Sequence, residues 1–591
     1  MICLATIEVF SKTLISSAQS INYHGIGVNK PLMNKLEAFR YELAHPRTSI
    51  QLCVLGIIGG ISAASLIILF RLSINWLQLQ FLPEVDDFSA LSPTARLLLP
   101  LIAAVAIIFL AYLTGFKHYR MGIPFVIHRV KHYFGVIPSR TTINQFLGGT
   151  IALASGFSVG REGPSVHLGA AGSSFFGQWF KLPYNSIRIL SGCGIAAGIS
   201  ASFNTPFAAV IFVMEVVFRE YKVHVFIPIM LAAACGSVMT RLVFGTTQEL
   251  SFIQFNDFSH WIYLYLILCG IVLGGLASVF NNALMLVIRG FNRFNMIKRL
   301  LIAGLITGIV GYFLPDAMST HFNSVDGIIS QQHLGLLVAI LLAKLVLTIV
   351  AIGLGVPGGI MGPVFVIGML SGALLASPLS MLITNGAELS GSFSLLGMAG
   401  LMAAVVHAPL AALSAVMELS FSPELILPAI LVIVPAYVTS TQFLGNSSIF
   451  IRQLDYQKLP YRTSSITESL QKTGVLAVLD REFKLFDQSQ QQQIADFLHE
   501  SPTHPVIQQS RIDGALQFSL VQFDLSLELH SSPLKVTPMQ GLHSQATLAE
   551  VYSILQTKRD GAVYVYHMAK ADIIGVITWH QIRSYLHQEN Y

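Results

Sequence analysis

Charge is scarce in this sequence: Asp, Glu, Lys and Arg make up 11% of 591 residues, against 53% hydrophobic residues, and the mean hydropathy is +0.65. A water-soluble chain with so few charges would expose large apolar patches, so a bilayer is the natural solvent. Cysteine is scarce too. Cys3, Cys53, Cys193, Cys235 and Cys269 are scattered, with no spacing that suggests a disulfide framework or a metal cage, and they read as small hydrophobes. No metal site and no cofactor is expected. A Walker A loop, a zincin helix and a nucleophile elbow are all missing, so the chain is not read as an enzyme. The N-terminus lacks the short apolar core and small-residue cleavage site of a signal peptide. The formal charge of +5 is small for this length and argues against a nucleic-acid surface.

What the chain does have is apolar runs. Between residues 51 and 445 one apolar block follows another; residues 52–77, 95–114, 263–288 and 334–354 are each long enough to cross a hydrocarbon core of roughly 30 Å. After Asp455 charges and glutamines rise and no segment can span. Three parts follow: an N-terminal segment 1–47, a membrane domain 48–455 and a soluble tail 456–591. Residues 1–47 carry Lys12, Lys30, Lys35, Arg40 and Arg47. The loop at 81–93 has Glu84, Asp86 and Asp87 but no Lys or Arg, whereas Lys117, Arg120, Arg129, Lys131 and Arg140 follow the second span. By the positive-inside rule the N-terminus is cytoplasmic, and the chain is a multi-pass protein of the cell membrane with its tail on the same side.

Two glycine-rich segments resemble each other: Gly160-Arg161-Glu162-Gly163-Pro164 followed by Gly169, and Gly359-Ile360-Met361-Gly362-Pro363 followed by Gly368, offset by 199 residues. A second pair, Asn204-Thr205-Pro206 with Met214-Glu215 and His407-Ala408-Pro409 with Met417-Glu418, is offset by 203. Two motif pairs in the same order with nearly the same offset indicate an internal duplication. Matching broken segments in two halves of a membrane protein point to a binding site near the bilayer midplane. The glycines let backbone approach a ligand closely, and proline is tolerated in the first turn of a helix. Pro164 and Pro363 are therefore expected just inside helix starts, with free amides immediately before them. Such helix N-termini attract anions.

These residues resemble the signature segments of the CLC chloride channels and proton-coupled chloride antiporters. Residues 160–164 are similar to that family's G-R-E-G-P, residues 359–363 to its G-x-F-x-P, and Met121-Gly122-Ile123-Pro124 to its G-S-G-I-P. The resemblance implies an all-α polytopic membrane fold with inverted repeats, a homodimer and one anion path per subunit. It also implies that Ile360 and Met361 give amides to a central anion, while amides near Arg161, Glu162 and Gly163 face the outer part of the path. Glu162 matches the family's gating glutamate. An ionisable group inside a membrane segment is a functional hypothesis by default. Ionised, its carboxylate mimics the transported anion and blocks the site; protonated, it swings away.

Three departures stand out. Met121 replaces the family's chloride-binding serine, Phe450 replaces a tyrosine near the end of the last span, and Val216 replaces the acid that relays protons in coupled members. Glu215, next to Val216, has a repeat mate in Glu418, which favours a structural role for both. The expected function is chloride transport gated by Glu162, channel-like or weakly coupled to protons. The alternatives are strict proton/chloride antiport and, because Met121 also occurs in fluoride-exporting relatives, fluoride export. Chloride, protons, the lipid bilayer and a second copy of the chain are the expected partners. Lys344 reads as a structural cation, and His167 and His407 as packing residues.

The tail resembles a CBS-domain pair, a small α/β regulatory module. Val475–Leu479 reads as a strand, the glutamine-rich stretch up to residue 498 as a helix, and Thr547 as a helix cap. Strands are expected at residues 562–566 and 573–577, then a helix. Gln581 occupies the position of the nucleotide-binding Asp of such modules, so nucleotide binding by the tail is not expected.

Overall fold

A computed structural model describes residues 35–115, 121–245, 260–318, 334–380, 389–502, 504–512, 515–523 and 534–589. Lys12, Lys30, Lys117 and Arg120, used above for orientation, lie outside these residues. The chain is a multi-pass membrane protein, with ten described helices long and apolar enough to cross a bilayer. The four runs singled out from sequence correspond to Ile50–Gln78, Pro93–Leu113, His260–Gly290 and Leu334–Leu354, the second run passing its helix by one residue. At the centre stand Tyr184–Phe203 and Leu389–Val406, each with 89% of its apolar window enclosed by protein, against 33% for the peripheral Pro93–Leu113.

The duplication is visible in the backbone. Left-handed residues recur at corresponding places: Gly156 and Gly355, Asn204 and His407, and Arg219 and Phe421. The repeats also touch each other in equivalent ways. Gly160 and Gly359 form an antiparallel bridge, with Gly160 N donating to Gly359 O at 2.7 Å and Gly359 N to Gly160 O at 2.6 Å. Glu418 accepts from the amides of Phe207 and Ala208, and Glu215 from those of Leu410 and Ala411. Two such exchanges of equivalent contacts describe a pseudo-two-fold relation between the halves.

The glycines of the central helices make this packing possible. A Cβ at Gly169 or Gly194 would run into the other's carbonyl, and Gly368 and Gly397 repeat the arrangement in the second half. Small residues at membrane helix contacts allow such close backbone approach.

The tail is an α/β unit of two sheets. In the first, β1 (Lys484–Asp487) runs parallel to β2 (Val506–Ile512), which pairs antiparallel with β3 (Ala515–Phe523), followed by β4 (Leu534–Pro538). In the second, β5 (Gln540–His543) runs parallel to β6 (Ala562–Tyr566), which pairs antiparallel with β7 (Ile573–Thr578). The helices Gln491–Glu500 and Leu548–Leu555 occupy the same place in each, giving the order β-α-β-β twice, with β4 added at the end of the first. Thr547 and Glu550 form the expected cap as a full capping box. One expectation fails. Val475–Leu479 is not a strand; Val475–Ala477 is a short 3-10 turn buried against the second unit, with Val475 N bonded to Ala546 O. A short apolar run fixes burial but not conformation.

The tail interlocks with the membrane domain and with the end of the N-terminal segment. Gly474 N donates to Ala44 O, Tyr184 N to Gln545 O, and Gln545 Nε2 to Leu182 O. Across the junction Lys131 bonds Glu468 at 2.6 Å and Glu220 pairs with Lys472 at 3.4 Å, while Arg188, on the membrane side, holds Glu220 at 2.8 Å. Burial raises the pKa of Glu220, but Arg188, Lys472 and Lys131 together outweigh it and hold the carboxyl below its ordinary range.

Candidate functional site

Three helices start at one place. Gly122–His132, Glu162–Trp179 and Met361–Ser380 each carry proline as their third residue: Pro124, Pro164 and Pro363. Proline fits the first turn because its missing N–H falls among those without an intrahelical partner. The first helical bonds are Ser165 N to Arg161 O and Val364 N to Ile360 O, so the amides of Gly163, Met361 and Gly362 precede the ladders. Gly122 has φ +77 after an extended Met121, a geometry that favours glycine. Built onto Gly122, a Cβ would stand 3.9 Å from Gly358 O, and one on Gly163 would stand 2.7 Å from the same oxygen. The segment leading into the third helix thus lies against the starts of the other two.

Glu162 lies in the cradle between them and is 3% exposed. A Cβ on Gly160 would collide with its Oε2; one on Gly359 would stand 2.9 Å from Oε2, and one on Gly362 2.7 Å from Oε1. The carboxylate therefore fills space that three glycines, from both repeats, leave open. Arg161, just before it, places its guanidinium 4.5 Å from the centroid of the Phe203 ring.

Below this cradle opens a vestibule of about 1030 Å³. Met121, Gly122, Ile123, Pro124, Ile360 and Phe450 line it. Gly163, assigned from sequence to the outer part of the path, borders the vestibule as well, because it packs directly on Gly358 and Gly359. Phe450 does not end a span; it sits on a separate short helix, Ile449–Tyr456, which brings it to the same wall. Sequence reasoning missed the outer ring. Arg293, Arg299 and Lys458 line the cavity, and among the described residues no carboxylate does. Such a surface concentrates anions by its field.

The remaining candidates lie elsewhere. Met361 is buried at its helix start, and Val216 is buried on the π-helical segment Val213–Phe218, away from the vestibule lining. Lys344 is fully buried, and its Nζ donates to Ala317 O. His167 stacks on Phe125 and meets Thr141 Oγ1 at 3.2 Å, while His407 packs edge-on against Tyr437. In the tail, Gln581 Oε1 accepts the amide of Thr578 at 2.7 Å and its hydroxyl at 3.1 Å, capping the last helix.

Comparison with known proteins gives this geometry its family. Residues 108–441, more than half of the chain, match the family described as voltage gated chloride channel. The chain belongs to the CLC family. A putative chloride channel protein, ClcB-like, of Ralstonia nicotianae is 29% identical over 54% of this chain and 76% of its own length. The H(+)/Cl(-) exchange transporter ClcA of Salmonella agona is 28% identical over 71% of this chain and 91% of its own. Among solved structures, a slow cyanobacterial Cl-/H+ antiporter aligns with a TM-score of 0.61 and 24% identity, covering 70% of this chain and 98% of that one. A eukaryotic CLC transporter aligns with a TM-score of 0.56 and 18% identity, covering 90% of this chain and 97% of that one. The match over 90% reaches into the tail, so the CLC-like fold continues into the α/β region. The protein carries out CLC-type anion transport and is not an enzyme.

Proposed function

We propose that this CLC protein moves chloride along a path that runs from the basic vestibule to the cradle of helix starts, with the Glu162 carboxylate as its gate. The observation that carries the reading is the position of that carboxylate. It fills the space kept open by Gly160, Gly359 and Gly362, where an anion would meet the helix N-termini of both repeats. An ionised Glu162 competes with chloride for this space; protonation removes the competition.

Transport is channel-like or weakly coupled to protons. Val216 cannot ionise, and neighbouring Glu215 is engaged at the start of the Pro409–Ser420 helix, so the inner half of a proton route lacks an obvious carrier. The similarity to ClcA exchangers favours the alternative, strictly coupled proton/chloride antiport. A CLC-type fluoride/proton antiporter of known structure aligns with a TM-score of 0.55, but Pro164 and the soluble tail favour chloride over fluoride. The protein acts as a homodimer in the cell membrane, with residues 1–47 and 456–591 cytoplasmic and the tail serving as a CBS-pair-like regulatory domain. The test is purified protein in liposomes with a chloride gradient and a pH electrode. Chloride flux without uphill proton movement is expected; uphill proton movement driven by chloride would establish the antiporter.

A further inference from the structure

Gln145 stands apart from the polar residues around it. It lies on the helix Ser139–Ala154, is 1% exposed and lines the vestibule beside Met121, Gly163 and Ile360. Its Nε2 and Oε1 are both buried, and neither has a hydrogen-bond partner among the described residues. Its sequence neighbour Asn144, equally buried, shows the usual arrangement: Nδ2 donates to Arg140 O, and Oδ1 accepts from Thr114. A buried primary amide is expensive to leave unmatched, and buried polar groups nearly always have a partner.

The helix is fixed so that Gln145 borders the path. One turn along the same face, Gly148 packs against Pro357 and Gly149 against Pro164, where added Cβ atoms would stand 3.1 and 3.2 Å from the prolines. These glycines clamp the helix between the two motif segments and set Gln145 beside residues 358–360. At the same wall Met121 and Phe450 offer no hydroxyl donor. A carboxamide carries two N–H donors and can hold an anion without adding charge.

We propose that Gln145 is a direct anion ligand, its Nε2 donating to a small monovalent anion at the inner end of the path in place of the hydroxyls this chain lacks at Met121 and Phe450. The assignment rests on the chloride reading above and adds a specific ligand to it. The neutral amide makes the site a donor-based one, suited to halides and other small anions.

The test is chloride binding to the purified full-length protein, followed by calorimetry and by the rise in melting temperature on adding chloride. Gln145→Leu keeps the bulk and removes the donors. It is expected to melt as high as the parent protein in chloride-free buffer while its chloride affinity falls about tenfold, the loss appropriate to one hydrogen bond to a charged group. Parent-like affinity in a folded Leu variant would overturn the assignment and leave the chloride reading standing; no chloride binding by the parent protein would overturn both. Should the Leu variant not fold, Gln145→Asn retracts the amide by one methylene: weakened binding supports the assignment, and unchanged binding overturns it.

Discussion

Glu215 and Glu418 stand in a reciprocal relation across the two repeats. Glu418 accepts the amides of Phe207 and Ala208 at 2.8 and 2.7 Å, and Glu215 accepts those of Leu410 and Ala411 at 3.2 and 2.8 Å. Each carboxylate thus closes the first turn of the helix that carries the other. Helix N-termini favour carboxylates both as hydrogen-bond acceptors and as counter-charges. The exchange binds the halves of the membrane domain and gives Glu215 work that does not require it to move protons.

Removing either carboxylate should therefore show in stability. Glu215→Ala or Glu418→Ala leaves two amides without their acceptor, at a loss of roughly 1–3 kcal/mol. Glu→Gln, which keeps one acceptor oxygen, should lose less. Thermal unfolding in detergent measures both. The pH dependence of chloride flux should be unchanged in Glu215→Gln; an altered proton response with an unaltered melting temperature would assign Glu215 to proton transfer instead.

The cradle makes a different prediction. In Gly362→Ala the new Cβ would stand 2.7 Å from Glu162 Oε1 and 3.2 Å from Gly160 Cα. Overpacking of this kind costs about 1–3 kcal/mol, and the carboxylate is the group freest to give way. The variant should conduct more at neutral and alkaline pH than the parent protein, as measured by chloride efflux from liposomes. Unchanged flux would mean that the cradle accommodates a methyl group without displacing Glu162.

The tail's attachment should be acid-sensitive. Because Glu220 has its pKa depressed in the folded protein, its ion pair with the tail's Lys472 contributes fully above the ordinary carboxylate range, and that contribution is lost as pH falls through the lowered value. Limited proteolysis of the stretch joining the two domains should quicken once the pH falls below the ordinary carboxylate range. Glu220→Gln should cleave faster than the parent protein at neutral pH, with a smaller further increase on acidification. Equal cleavage of both proteins at neutral pH would remove Glu220 from the account of docking.

Spans and helix starts were legible in the sequence because length, hydropathy, glycine and proline each have a direct geometric consequence. Pro164 and Pro363 fall at the third residue of a helix, as their motifs implied without any coordinates, and Pro124 does the same although nothing in the sequence reading placed it there. The pairing of Glu215 with Glu418 was legible as a repeat, but the bonds they make were not, since those join residues about two hundred positions apart. Gln145 gave no signal at all: a lone glutamine in a helix is ordinary until its surroundings are known. Arg293, Arg299 and Lys458 stayed hidden for the same reason, since the stretch holding the two arginines meets Lys458, far along the chain, only at the vestibule. In the tail, the run from Val475 to Leu479 misled because five apolar residues satisfy a strand and a buried turn equally well.

The central claim is that the Glu162 carboxylate occupies the anion's own place and closes the path when ionised. Glu162→Gln, an uncharged mimic of the protonated side chain, tests it most directly through chloride efflux from liposomes across about pH 5 to 8. The account predicts that efflux from the parent protein rises with acidity, whereas the variant conducts at every pH at least as fast as the parent does at its acid maximum. A variant that folds yet passes no chloride, or one that keeps the parent's pH dependence, would contradict it.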